Sequence, residues 1–225
     1  MKSISLYVFS GLGTDERIFN NIRFPEFAEV HHIAWRKPFP KESLDAYVNR
    51  LLEEVDASKP FVFIGLSFGG IIAQEASRKI KPLQTIIISS ISSPKEIPWY
   101  FKIIGKLKLN KLIPFRLLKF ANKIVNWFFG AKRGEDKKLM AEIIRDADVK
   151  LLQWSVEKLL SWKNENPVEN LFHIHGDCDR LLPLKNKNVN IIVKDGTHLM
   201  IYNKAEEVEE ILTQKLSQIT QSSQM

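Results

Sequence analysis

The stretch of the chain that decides the fold is Gly65-Leu66-Ser67-Phe68-Gly69-Gly70. It follows the apolar run 61–64, which has the composition of a buried strand, and it precedes residues 71–76, which have the composition of a helix start. A serine on so tight a strand-to-helix turn has strained backbone angles, and flanking glycines let neighbouring segments pass without Cβ clashes. We therefore expect the hydroxyl of Ser67 at the carboxyl edge of a sheet, near a helix N-terminus. The alternative is a glycine-rich turn that carries an incidental serine.

Strands and helices alternate on both sides of this stretch, which favours parallel strands joined by crossover helices. Most of the predicted strands are apolar on both faces, as a sheet covered by helices on both sides requires. The predicted strands are residues 5–9, 30–35, 61–65, 85–89, 172–175 and 190–193. The predicted helices include 44–55 with Ser43 as N-cap, 70–80, and about 204–219, which begins with Asn203 and has Glu206 three residues on, close to a capping box.

The alternation breaks between about residues 94 and 167, where the pattern is helical throughout. Residues 113–129 have polar positions every three or four residues and leave a wide apolar face, and a second helical stretch covers 137–162. We predict a core formed by residues 1–93 and 168–225, with residues 94–167 inserted as a helical cap over the sheet.

In this setting the Ser67 motif resembles the nucleophile elbow of the α/β-hydrolase family, whose triad follows the order Ser, Asp or Glu, His. Residues 175–183, His-Gly-Asp-Cys-Asp-Arg-Leu-Leu-Pro, look like the family's H-G-x-x-D-x-x-x-P segment, which points to Asp179. Gly196-Thr197-His198 follows the predicted strand 190–193 and is similar to the family's histidine loop. The resemblance covers about residues 4–93 and 170–219. It implies an α/β-hydrolase fold with Ser67, Asp179 and His198 as the catalytic triad.

These residue types suit the implied chemistry. A serine hydroxyl is a poor nucleophile at neutral pH and needs a neutral imidazole to take its proton. The imidazole needs a buried carboxylate to fix its tautomer and stabilise its charged form. Asp177 is the rival acid, but the family spacing favours Asp179 and leaves Asp177 as a turn residue. The other histidines are expected elsewhere: His31 and His32 at the start of a strand at the opposite end of the sheet, His173 within a strand, and His175 beside the acid loop.

The resemblance also implies an oxyanion hole, formed by the backbone N–H of Phe68 and one from the loop after the first strand. Many family members have a His-Gly pair in that loop, whereas this chain has Ser10-Gly11, so Leu12 is assigned as the second donor by position. The alternative is a plain glycine turn. Asp15, a few residues on, is a candidate for contact with a substrate hydroxyl, but we expect it to cap a helix.

The composition is that of an ordinary soluble globular protein, with 44% hydrophobic and 26% charged residues. The single cysteine, Cys178, excludes an intrachain disulfide and fits a reducing compartment. We expect no signal peptide and no membrane-spanning helix, and therefore a cytoplasmic protein. No histidine pair or cysteine cluster has the spacing of metal ligands, so we expect neither a metal nor a cofactor. A catalytic thiol at Cys178 would need its own histidine and acid, and Ser67 already uses the available set.

The net charge of +7 is concentrated in one segment. Residues 95–133 contain ten basic residues and one acid, so this segment carries +9 and the rest of the chain −2. A single basic block is not the broad footprint of a nucleic-acid binder, so we expect no nucleic-acid partner. We favour a cap whose lysines stay in water while its apolar side covers the site mouth; the alternative is that the block also docks on anionic lipid or recruits an acyl-chain substrate. Aromatic residues of the block, Trp99 and Phe128 among them, predict an apolar acyl or aryl group in the substrate pocket.

The favoured function is therefore a serine hydrolase that cleaves a small-molecule carboxylic ester or thioester through an acyl-enzyme. Two alternatives stay open at the level of sequence. One is another α/β-hydrolase chemistry on the same triad, as in carbon–carbon hydrolases or hydroxynitrile lyases. The other is a non-catalytic protein that binds a small molecule on this scaffold.

Overall fold

A six-stranded, all-parallel sheet forms the centre of the computed structural model, which describes residues 4–107, 122–184 and 188–222. The spatial order of the strands is β2-β1-β3-β4-β5-β6. Pairing of Phe9 with Gly65 and of Leu66 with Ile88 aligns the carboxyl ends of β1, β3 and β4 at one edge. The strands are β1 Ile4–Phe9, β2 Ala28–Ile33, β3 Phe61–Leu66, β4 Gln84–Ile88, β5 Leu171–Gly176 and β6 Ile191–Val193.

Helices cover both faces of this sheet. Successive side chains of a strand point to opposite faces, and in β1 Leu6 and Val8 pack in one apolar cluster whereas Tyr7 and Phe9 pack in the other. The fold predicted from the sequence, a parallel sheet between two layers of helices, is confirmed. The helices are α1 Leu44–Leu52, α2 Phe68–Lys79, α3 Trp99–Lys106, α4 Asn122–Phe129, α5 Gly134–Asp146, α6 Val149–Ser161, α7 Met200–Asn203 and α8 Ala205–Ser222, with short 3₁₀ helices at Glu16–Phe19 and Pro94–Glu96.

All six predicted strands are present, and the largest differences lie in β2 and at helix ends. Strand β2 spans Ala28–Ile33 rather than 30–35, because Trp35 has left the sheet and its indole N–H donates to the carbonyl of Gly11 at 3.2 Å. His31 and His32 therefore lie inside β2, paired with Tyr7 and Val8, and the prediction that they open the strand is wrong.

Several predicted helix boundaries also differ: α2 begins at Phe68 rather than at residue 70, and α8 ends at Ser222 rather than near residue 219. Helix α1 ends at Leu52, three residues before the predicted end. Asn203 does not cap α8, because it is the last residue of α7 and its side-chain amide donates instead to the carbonyl of Gly130 and the hydroxyl of Thr197.

The described part of the segment between β4 and β5 is mainly helical, with non-helical stretches that include residues 130–133 and 162–170. The second predicted stretch, 137–162, is divided into α5 and α6 at Asp148, whose carboxylate accepts the N–H groups of Lys150 and Leu151 and so starts a new helix. Of the predicted helix 113–129, only Asn122–Phe129 lies within the described residues. Helix α6 is held on the core through Trp154, whose indole N–H donates to the carbonyl of Glu42 at 3.0 Å.

Candidate active site

Ser67 occupies the sharp turn between β3 and α2. Its backbone angles, φ 52° and ψ −119°, lie outside the regions that L-residues ordinarily adopt, and such strain persists only where the surroundings enforce it. The N–H of Ser67 donates to the carbonyl of Ile88 at 2.9 Å, and its own carbonyl accepts the hydroxyl of Ser90 at 2.7 Å. A Cβ at Gly69 would lie 2.3 Å from the carbonyl oxygen of Phe9, so glycine is required for this close approach.

The imidazole of His198 lies between the hydroxyl of Ser67 and the carboxylate of Asp179. Its Nε2 is 3.0 Å from Ser67 Oγ and its Nδ1 is 2.8 Å from Asp179 Oδ2. The loops that carry His198 and Asp179 touch directly, because a Cβ at Gly176 would lie 2.1 Å from the carbonyl oxygen of Gly196. Three distant stretches of sequence are thus brought into one hydrogen-bonded line, the arrangement expected from the sequence.

The carboxylate of Asp179 is buried, and both of its oxygens are used. Oδ1 accepts the N–H groups of Leu181 and Leu182 at 2.9 and 2.8 Å, while Oδ2 contacts His198 and lies 3.5 Å from Nε2 of His175. Burial works to raise the pKa of Asp179, but the charge and hydrogen bond of His198, together with His175 and the Leu182 N–H, outweigh it and hold the pKa below 3.8. Asp179 is therefore ionised at neutral pH.

His175 contacts the acid loop, as expected from its position in the sequence. Its Nε2 is 2.8 Å from the carbonyl oxygen of Leu182, the residue whose N–H binds Asp179. On its other side, Nδ1 of His175 is 3.2 Å from Nε2 of His173, and both imidazoles are buried. Two buried histidines of β5 thus support the loop that carries Asp179: His175 contacts the loop, and His173 contacts His175.

The rival residues lie outside this line. Asp177 and Cys178 are exposed, and the pKa of the Cys178 thiol is raised by partial desolvation and by its hydrogen bond to Asp177, so the reactive thiolate is disfavoured. Asp15 caps the 3₁₀ helix by accepting the N–H of Arg17, and it also binds the Arg17 guanidinium. Among the described residues, no cluster of three His, Cys, Asp or Glu side chains could hold a metal ion.

An apolar cavity of about 210 Å³ opens beside Ser67 and His198. A larger groove of about 660 Å³ near the start of α8 mixes acidic and basic side chains and does not include Ser67 or His198, so the smaller cavity is the one relevant to the site. Of the described residues around the smaller cavity, none carries a charged ammonium, guanidinium or carboxylate. The lining includes Leu12, Ile71, Phe101, Phe129, Val156, Leu159 and Leu182.

The two aromatic residues predicted to line the pocket, Trp99 and Phe128, are not in its wall. Trp99 is 71% exposed, whereas Phe101 of the same helix lines the cavity. Two residues correspond to about 200° around a helix, so Trp99 and Phe101 point in nearly opposite directions. On α4 the lining residue is Phe129 rather than Phe128, and the Phe129 ring packs edge-on against the His198 imidazole with centroids 5.1 Å apart. Phe101 and Phe129 are the residues that the sequence-based prediction missed.

The loop after β1 lies next to the nucleophile. A Cβ at Gly11 would be 3.5 Å from Cβ of Ser67, and Leu12 lines the cavity. Phe68 is the first residue of α2, so its N–H belongs to the first turn, whose donors have no partner within the helix. The participation of the N–H groups of Phe68 and Leu12 in an oxyanion hole stays a prediction.

A parallel sheet with a serine on a strained strand-to-helix turn, facing a histidine and a buried acid, defines the α/β-hydrolase fold, and this chain has that fold. Solved structures agree. Est816, described as an N-acyl homoserine lactone degrading enzyme, is 15% identical, with a TM-score of 0.72 over 94% of this chain and 92% of that one. An esterase from Thermogutta terrifontis is 12% identical, with a TM-score of 0.68 over 97% and 91%. ClbQ from the colibactin NRPS/PKS pathway is 15% identical, with a TM-score of 0.65 over 97% and 99%.

No family model and no curated protein matches the sequence of this chain. Within residues 4–107, 122–184 and 188–222, no helix is long and apolar enough to cross a membrane.

Proposed function

We propose that this protein is a serine hydrolase that cleaves a carboxylic ester or thioester with an apolar acyl or aryl group. The observation that carries this proposal is the hydrogen-bonded line from Ser67 through His198 to Asp179 beside an apolar cavity. The names of structural neighbours, two of them an esterase and a lactone-degrading enzyme, support the same class of bond.

In the proposed reaction, Ser67 Oγ attacks the acyl carbon while His198 Nε2 takes the hydroxyl proton. The tetrahedral oxyanion collapses, the bond to the leaving oxygen or sulfur breaks, and His198 gives its proton to the leaving group. A water molecule then loses a proton to His198 and attacks the acyl-enzyme. The bond between the acyl carbon and Ser67 Oγ breaks, His198 returns the proton to Oγ, and the acid leaves. Atoms and charges balance over the two half-reactions, with no oxidant or metal required.

Asp179 sets the tautomer of His198 in this scheme. An ionised carboxylate can only accept a hydrogen bond, so the 2.8 Å contact requires a proton on Nδ1 and leaves Nε2 of neutral His198 free to accept from Ser67. The lowered pKa of Asp179 keeps the carboxylate ionised throughout the neutral range. The same carboxylate stabilises the imidazolium that forms during the attack.

The proposed oxyanion donors are the N–H groups of Phe68 and Leu12. Phe68 opens the twelve-residue helix α2, so the partial positive charge of the helix N-terminus adds to its hydrogen bond. Leu12 belongs to the loop that lies against Ser67.

The cavity supports a neutral, apolar acyl group of limited length. At about 30 Å³ for a group the size of water, its volume of about 210 Å³ holds roughly seven such groups. We therefore expect the best acyl chains to have about six to eight carbons. Phe101, Val156 and Leu159 form part of the wall from the segment between β4 and β5, and this is why we assign residues 94–167 as a cap.

The test uses Ser67→Ala with p-nitrophenyl esters of graded chain length, matching thioesters and a fluorophosphonate probe. We expect Ser67→Ala to lose about 10³-fold or more in kcat and all probe labelling, with the melting temperature retained. The matched control is Ser161→Ala. The hydroxyl of Ser161 bonds only to carbonyls of its own helix, so the kinetics of this variant should equal those of the wild type. Undiminished hydrolysis or labelling in Ser67→Ala would refute the proposal.

A further inference from the structure

The described surface carries one concentration of exposed apolar side chains. Eight large hydrophobic residues of the described chain are exposed, and five of them lie on or next to α3 and α4. The other three, Phe39, Leu83 and Ile192, are in separate parts of the fold. We call the concentrated set the apolar face; its members are Trp99, Ile103, Leu107, Ile124 and Trp127, and they are between 45% and 71% exposed.

The apolar face follows helical periodicity. Trp99, Ile103 and Leu107 are spaced by four residues, and the N–H of Leu107 bonds to the carbonyl of Ile103 at 3.0 Å, which continues the turn beyond α3. At 100° per residue, Phe101 lies about 160° from the middle of that stripe, and it lines the cavity.

Helix α4 is arranged in the same way. Ile124 and Trp127 lie on its exposed side, and Phe129 is about 170° from the midpoint between them. Phe129 lines the cavity and packs on His198. Each helix therefore directs one phenylalanine towards the candidate active site and its apolar stripe away from it.

The loop that follows Asp179 connects the two halves of the apolar face. The hydroxyl of Tyr100 donates to the carbonyl of Leu181 at 2.7 Å. The guanidinium of Arg180 lies 4.7 Å from the centre of the Trp127 ring and donates to the Trp127 carbonyl at 3.2 Å. Helices α3 and α4 thus contact adjacent residues of one loop.

Lysines border the apolar face. Lys102 and Lys106 lie beside the α3 stripe, and Lys123 lies beside Ile124 on α4; all three are exposed. No carboxylate of the described residues forms an ion pair with any of these three ammonium groups, whereas Lys95, further away, pairs with Glu165 at 2.9 Å. Positively charged side chains therefore flank the exposed tryptophan and aliphatic side chains.

We propose that the apolar face docks on an anionic lipid surface. A second copy of the chain is opposed by charge, because a two-fold contact would place the same lysines against each other. The electrostatic interaction of these lysines with an anionic surface is instead attractive. Helices with tryptophan and aliphatic residues on one side and lysine beside them are typical of segments that lie in the membrane interface. The docking requires no catalytic step and stands independently of the proposed hydrolase activity.

The test is flotation of the full chain with two kinds of vesicle, phosphatidylcholine alone and phosphatidylcholine with one third of the lipid replaced by phosphatidylserine. We expect binding to the anionic vesicles to be at least about tenfold stronger and to weaken with added salt. Brominated lipid should quench tryptophan fluorescence in the wild type, and much less in the double variant Trp99→Phe, Trp127→Phe. Of the three tryptophans that remain, Trp154 and Trp162 are buried, and Trp35 is partly buried, stacked on Tyr47 and Phe68.

A charge-matched pair of variants separates this face from the general basicity of the protein. Lys102→Glu with Lys106→Glu should lower anionic binding by about tenfold or more. The control variant, Lys59→Glu with Lys81→Glu, changes the net charge equally. These two lysines precede β3 and β4 at the opposite sheet edge, so the control should change binding by less than about threefold.

Three outcomes would overturn the proposal: no binding to either vesicle, equal binding to both, or equal losses in the two lysine pairs. A fourth is a dimer in sedimentation velocity that Ile103→Ser dissociates, which would assign the face to a second copy. Hydrolysis of a short, water-soluble ester by the lysine variants reports on the candidate active site separately, so failure of docking and failure of the proposed function are distinguishable.

Discussion

Replacement of Asp179 by Asn changes one atom of the carboxylate and reverses the hydrogen bonding of the site. The carbonyl oxygen of the new side-chain amide can still accept the N–H groups of Leu181 and Leu182, where Asp179 Oδ1 now lies at 2.9 and 2.8 Å. The amide NH₂ then takes the place of Oδ2 and faces Nδ1 of His198. Because an amide nitrogen only donates, Nδ1 must lose its proton and Nε2 must carry one.

That tautomer places an N–H against the hydroxyl of Ser67, where an acceptor is needed at 3.0 Å. The general base is lost although the fold and the neighbouring hydrogen bonds remain. Loss of the correct tautomer in a serine triad is worth about 10³ to 10⁴ in kcat, or about 4 to 5.5 kcal/mol of transition-state stabilisation. We expect KM for a C6 p-nitrophenyl ester to change by less than about threefold, because no cavity-lining side chain changes.

The assay is steady-state hydrolysis of that ester together with the rate of fluorophosphonate labelling at Ser67. Asp177→Asn is the matched control, since it makes the same chemical change two residues away on an exposed side chain and should leave kcat unaltered. The reasoning is refuted if Asp179→Asn, folded at the assay temperature, retains kcat within threefold of the wild type, or if the Asp177 variant loses as much.

Two further predictions concern stability. Gly69→Ala should destabilise the fold by about 3 kcal/mol, because the new Cβ would meet the backbone oxygens of Phe9 and Ser10 at 2.3 Å. In the control Gly134→Ala the new Cβ has no atom within 4 Å, so the free energy of unfolding should change by less than about 1 kcal/mol. Equal urea midpoints for the two variants would contradict the packing argument. The folded-state pKa of Asp179 is below its ordinary value of 3.8, so its contribution is present above that pH and lost as the pH falls through the folded pKa. The difference in unfolding free energy between wild type and Asp179→Asn should therefore shrink below about pH 4, and a difference that stays constant to pH 3 in urea titrations would count against it.

The sheet and the line from Ser67 to Asp179 could be predicted because each depends on short stretches of sequence. Strands such as Phe61–Leu66 are buried along their whole length, so their composition alone distinguishes them from amphipathic segments. Each member of the line follows a strand directly or by a short loop, and parallel strands end at one edge. Alignment of the strand ends is therefore sufficient to bring a serine, an acid and a histidine together once their strands are known.

The wall of the cavity could not be predicted in the same way. Trp99 and Phe101 lie in the same amphipathic pattern, and the side that faces the cavity depends on how α3 seats on the core. That seating involves contacts distant in sequence, such as the hydroxyl of Tyr100 on the carbonyl of Leu181. Asn203 shows the same limit, since its amide binds Gly130 and Thr197 instead of capping the helix that follows.

The structure therefore separates the elements that hold the hydrogen-bonded line from those that form the outer wall of the cavity, which in the proposed function would select the acyl group. Ser67, His198 and Asp179 are fixed by backbone contacts of the sheet edge, where Gly69 meets Phe9 and Gly176 meets Gly196. Phe101, Val156 and Leu159 instead reach the cavity from helices between β4 and β5. These helices do not include the motifs that carry Ser67, Asp179 and His198. Side chains on those helices can change in size without moving the imidazole, because the bonds that orient it all come from the core. Phe129 is the exception, because it lines the cavity and also packs on His198. In the proposed function, a change at Phe129 would therefore alter both the selection of the acyl group and the position of the base.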